Sequence, residues 1–88
     1  MRIKGEYFLR EISGVNIAVP ISDTVLTSNI LIVLNETAEF LWKLLKEGCT
    51  EEELVNSLCE EYDTDEKTAS EDIREFIEYL KKNKVEFE

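Results

Sequence analysis

Five consecutive apolar residues, Ile30 to Leu34, run directly into Asn35-Glu36-Thr37-Ala38, and that junction constrains the fold more than any other stretch. A short apolar run of this kind reads as a strand covered on both faces. Asn35 is suited to cap a helix, because its side-chain oxygen accepts from an otherwise unpaired amide in the first turn. Glu36 and Glu39 would then sit at the positive end of the helix dipole. Strand therefore passes into helix with almost no loop, which fixes the angle between them. A strand apolar on both sides needs helices on one side and something further on the other.

Before this junction, Tyr7–Ile12 and Val15–Val19 alternate loosely around Ser13-Gly14, a hairpin signature in which glycine supplies a positive φ. Pro20 has no amide hydrogen and belongs at a strand end. Ser22–Asn29 reads as a polar loop, with Val25 and Leu26 available to tuck under the sheet. After it, three helices are expected. The first spans about Glu36–Glu47, with Ala38, Leu41, Trp42 and Leu45 facing inward and Gly48 as a left-handed cap. The second opens on Thr50-Glu51-Glu52-Glu53, a reciprocal capping box, and buries Leu54, Val55, Leu58 and Cys59. The third starts near Asp65 and carries Ala69, Ile73, Phe76 and Leu80 as a stripe, with Ile77 beside it and Lys81, Lys82 and Lys84 at its negative end. Val85 and Phe87 form an extended tail.

Strands followed by helices predict an α+β fold, a three-stranded antiparallel sheet and then three helices. The last two helices, linked by Tyr62-Asp63-Thr64, make a helix-turn-helix pair, and with the sheet a winged-helix-like body. The 88 residues form one domain over 1–88. The longest apolar run is too short to span a membrane and the start lacks a secretion signal, so a soluble, cytoplasmic protein is expected.

Charge excludes whole classes of function. The net charge is −10, with 20 acids and 10 bases. Residues 1–34 hold three of each, so all of the imbalance lies beyond them. Such a surface repels nucleic acid and anionic membrane. Within the third helix, Asp65, Glu66, Glu71, Asp72, Glu75 and Glu78 face only Lys67 and Arg74. Phosphate recognition needs the opposite balance, so DNA is rejected despite the helix-turn-helix order. Histidine is absent, which removes the usual general base and the commonest metal-binding nitrogen. Cys49 and Cys59 are too far apart in sequence for a CxxC pair and read as a partly exposed thiol and a small core residue. Asp63-Thr64-Asp65-Glu66 begins like a calcium loop but has Lys67 at a ligand position, so helix capping is the better account. Trp42 and Phe40 read as core. No enzyme, metal or cofactor is expected.

What remains is the third strand, an edge without lysine, proline or a bulge to blunt it. On the residues alone two readings stand level. The tail or a second copy of the chain covers it, or a peptide adds to it as a further strand.

The chain resembles the PqqD-like family, the recognition domains for precursors of ribosomally made, post-translationally modified peptides. The resemblance is carried by Leu9-Arg10-Glu11-Ile12, Leu34-Asn35-Glu36-Thr37-Ala38 with Trp42, Glu52-Glu53-Leu54-Val55, Glu61-Tyr62-Asp63 and Asp72-Ile73-Arg74-Glu75-Phe76. It implies a non-catalytic adaptor that holds a leader peptide between the third strand and third helix. The adaptor presents that leader to a tailoring enzyme, often a radical S-adenosylmethionine protein. By position, the peptide-binding residues would be Asn29, Ile30, Leu31, Ile32, Val33 and Leu34 on the strand, and Ile73, Arg74, Ile77 and Leu80 on the helix. Arg74 would meet a leader carboxylate, or else pair with Glu78 one turn on. The alternative is a structural module that forms a homodimer through the same edge without binding peptide.

Overall fold

The computed structural model describes residues 1–21 and 32–88. Its elements follow the order β1 (Tyr7–Ile12), β2 (Val15–Pro20), β3 (Ile32–Leu34), α1 (Glu36–Glu47), α2 (Glu51–Tyr62) and α3 (Glu66–Lys82). The expectations placed on Ser22–Asn29, Ile30 and Leu31, including Val25 and Leu26 packing under the sheet, lie outside the described residues.

The sheet is antiparallel in the order β1-β2-β3. Ser13 and Gly14 both take positive φ, 53° and 81°, as a two-residue turn must when its twist matches that of the strands. Pro20 ends β2. Ala18 pairs with Ile32 and Ile17 with Val33. Side chains alternate along β3: Ile32 and Leu34 are buried and Val33 is 51 % exposed. This settles which face points inward, a choice that an uninterrupted apolar run leaves open.

Asn35 caps α1 as expected, its Oδ1 accepting from the Ala38 amide at 2.8 Å. At the other end Gly48 departs from the left-handed cap. Its φ of 102° is positive but its ψ is 129°, so the chain leaves the helix extended while the Gly48 amide still reaches the Leu44 carbonyl. The Thr50–Glu53 capping box of α2 is complete in both directions. The α2–α3 link is one residue later than expected, because Tyr62 closes α2. Asp63 adopts the left-handed conformation and Asp65 caps α3, accepting from the Thr68 amide at 2.7 Å. That hydrogen bond holds the exposed Asp65 carboxyl below its ordinary range. These two aspartates therefore serve helix ends, and no metal-binding cluster occurs among the described residues.

The core gathers Ile32 and Leu34 from β3, Leu41, Trp42 and Leu45 from α1, and Leu54, Val55 and Leu58 from α2. Ala69, Ile73, Phe76 and Leu80 complete it from α3. Trp42 is 1 % exposed and meets Tyr7 edge to face at 4.9 Å. Phe40 stacks in the same manner on Tyr62. Cys59 is half-buried and packs against the core without being enclosed by it.

The C-terminal tail does not cover β3. Phe87 pairs instead with Ile3, the Lys4 amide donates to Glu86 and the Glu88 amide to Arg2. Ile3 and Val85 are buried in this seam. The two chain ends thus complete each other. Among the described residues β3 is left, like β1 on the opposite side, as an edge strand of the sheet.

Candidate functional site

β3 is short, so few of its backbone groups are available on the outer side. In an antiparallel ladder, residues alternate between pointing their amide and carbonyl toward the partner strand and away from it. Val33 points away: its amide donates to the Tyr79 hydroxyl at 3.0 Å, and that hydroxyl faces the Val33 carbonyl at 3.4 Å. One side chain of α3 thereby occupies the outward backbone pair of β3.

Beside this contact lies a cleft of about 420 Å³. Its floor and one wall come from Val33, Asn35, Thr37, Ala38 and Leu41, at the β3–α1 junction. Its other wall is Asp72, Glu75, Phe76 and Tyr79. These four positions follow the i, i+3, i+4, i+7 spacing of a single helix face. That face is one shoulder of the buried stripe, so the helix that closes the core also shapes the cleft. Asn16 on β2 donates to the Glu39 carboxylate on α1, which ties the sheet to the first turn of α1 next to the cleft. Among the described residues, two carboxylates and no basic side chain line the cleft.

The residues suggested by position are placed unevenly. Val33 is at the cleft and half-exposed, whereas Ile32 and Leu34 turn into the core. Asn29, Ile30 and Leu31 lie outside the described residues. Ile73 and Leu80 are enclosed by the core, and the α3 wall of the cleft is formed by Asp72, Glu75, Phe76 and Tyr79 beside them. Ile77 is half-buried on the opposite shoulder of the stripe. Arg74 shares that opposite side, in a shallow hollow with Glu66, Lys67, Ser70 and Glu71, and makes no ion pair among the described residues. Tyr79, Phe76, Asp72 and Glu75 were not marked by the strand–helix reading. Asp72, Glu75 and Phe76 lie in one of the segments that carry the family resemblance, and Phe76 and Tyr79 are aromatic residues one turn apart on a largely acidic helix.

Residues 24–85 match the family described as "Coenzyme PQQ synthesis protein D (PqqD)". The chain belongs to the PqqD family. Among solved structures, this PqqD-family chain is similar to one described as "TbiB1 in Complex with the TbiA(beta) Leader Peptide". The two share 26 % sequence identity and superpose with a TM-score of 0.77, over 98 % of this chain and 95 % of that one. A comparison with curated proteins returned no match. The α+β architecture expected from the sequence is therefore both the observed one and that of a leader-peptide complex. No helix among the described residues is long and apolar enough to cross a membrane.

Proposed function

We propose that this PqqD-family domain is a non-catalytic adaptor that binds the leader segment of a ribosomally made precursor peptide by adding it as a strand to β3. It then presents the peptide to a tailoring enzyme, such as a radical S-adenosylmethionine protein. The observation that carries this reading is the terminal position of β3 with a cleft along its outer side. The likeness to TbiB1 supports a leader peptide as the occupant.

Strand addition supplies register through backbone hydrogen bonds, and pockets for alternate side chains supply selectivity. The cleft offers Val33, Ala38, Leu41 and Phe76 as apolar lining. Each aliphatic side chain fully buried there stabilises the complex by ~1.5–3 kcal/mol. Ordering a flexible peptide opposes this. Two or three such anchors supply about 3–9 kcal/mol, so micromolar binding, at about 8 kcal/mol net, also draws on the backbone hydrogen bonds of the added strand.

The test is calorimetric titration with the TbiA(beta) leader and with the leader segments of short reading frames adjoining the gene for this chain. Val33→Pro removes the outward amide while leaving the bonds of Ile32 and Leu34 to β2, and is expected to abolish binding. Lys43→Ala, on an exposed side chain outside the cleft, is expected to leave it unchanged. Equal leader affinity for the two variants would refute strand addition at β3. A tight dimer in sedimentation, indifferent to leader, would favour the homodimer module instead.

A further inference from the structure

We infer that the Tyr79 hydroxyl is a displaceable stand-in for the missing strand: it holds the outward backbone pair of Val33 in the free protein and must leave before a peptide can pair there. This rests on the strand-addition reading above and adds a determinant of affinity to it. An exposed strand edge is a template for unwanted pairing, and proteins cover it with charge, proline or a neighbouring element. β3 has no charged residue or proline among Ile32–Leu34. Instead Tyr79 accepts from the Val33 amide at 3.0 Å and faces the same residue's carbonyl at 3.4 Å.

A phenol is suited to this task, because one oxygen both donates and accepts. It can therefore answer an amide and a carbonyl of the same residue, as the facing residue of an antiparallel strand does. Its ring is half-buried and reaches the edge from α3, so a rotation of the side chain, without movement of the helix, exposes the pair. The accepting bond is of ordinary length and the donating one is long, so the cover is a weak one. A true strand makes both bonds well and adds side-chain burial in the cleft. The peptide wins this competition, but its apparent affinity is lowered by whatever the hydroxyl holds.

Tyr79→Phe tests this directly, since it keeps the ring and deletes only the oxygen. One hydrogen bond in water corresponds to a factor of about two to ten in an equilibrium constant. The variant is therefore expected to bind leader peptide about two- to tenfold more tightly than the parent. In the free variant, the Val33 amide is expected to exchange with solvent deuterium faster than in the parent, with neighbouring core amides unchanged. The probes are the TbiA(beta) leader and the adjoining leader segments named above. Weaker leader binding by Tyr79→Phe would overturn the inference, because the hydroxyl would then be a contact of the complex. Unchanged Val33 exchange would overturn it too. Faster exchange with no leader bound by either protein would uphold the cover on β3 and count against the adaptor reading alone.

Discussion

The molecule closes two stretches of extended backbone on itself in different ways, an isolated bridge at the chain ends and the outer side of β3. At the chain ends, residues 2–4 and 86–88 satisfy one another through backbone bonds, with Arg2 and Glu88 paired across the outside and Ile3 and Val85 buried beneath. At β3, among the described residues, the outward pair of Val33 is met only by a side-chain hydroxyl. The first seam also fastens to the helices, since the Ile3 amide donates to Leu45 and the Val85 amide to Leu80. Opening it would expose core. Opening the second exposes a single amide and carbonyl to whatever replaces the hydroxyl. One edge is built into the fold, and the other is covered in a way that a competing strand can undo.

The sharpest way to break this contrast is to weaken the seam. Ile3→Ala removes a side chain only 3 % exposed, and is expected to cost about 2–5 kcal/mol of stability in urea unfolding. Leader affinity measured well below the unfolding midpoint should stay as it was. A large loss of affinity in the folded variant would mean that the two regions are coupled.

The Arg2–Glu88 pair at the rim of the same seam gives a smaller effect. Both side chains are about half-exposed, so solvent and salt screen their attraction. Arg2→Ala is expected to cost no more than about 1 kcal/mol, less still in high salt. A larger, salt-independent cost would indicate that the Arg2 stem packs against Gly48, where an added Cβ would lie 3.5 Å from the Arg2 Cδ.

The smallest effect is one of pH. Burial, and next the Glu53 carboxylate, push the Cys49 thiol above its ordinary value of 9.0, against the opposing pull of the N-terminal amine. Folding therefore favours the protonated thiol. This contribution is fully present below the unfolded value and is lost as pH rises through the folded one. Alkylation of Cys49 by iodoacetamide at pH 8 should be slower in the folded protein than in urea. Equal rates after correction for access would remove the shift.

Local chemistry made much of the fold legible. Asn35 and the Thr50–Glu53 box announced helix starts because capping involves residues three apart. Ser13-Gly14 announced the hairpin because few residues tolerate its dihedrals. The stripe Ala69, Ile73, Phe76 and Leu80 identified the buried face of α3 because burial follows helical spacing. The cleft was less legible for a geometric reason. A stripe tells which side of a helix is inside, but both of its shoulders are equally close to solvent in the sequence pattern. Packing of the helix across the sheet turns the Asp72–Tyr79 shoulder toward β3 and the Arg74–Ile77 shoulder away. The seam was half-legible: the extended tail could be read at Val85 and Phe87, but its partner, Ile3, lies at the far end of the chain and shares no pattern with it.

The central claim is that a leader peptide pairs with the backbone of Val33. Nuclear magnetic resonance of the complex tests it most directly, through cross-strand proton contacts between the leader backbone and Val33 and through protection of the Val33 amide. The account predicts antiparallel or parallel strand contacts at Val33, shifted Tyr79 ring signals, and little change around Arg74. Leader contacts confined to the hollow of Glu66, Lys67 and Arg74, with Val33 still facing Tyr79, would contradict it.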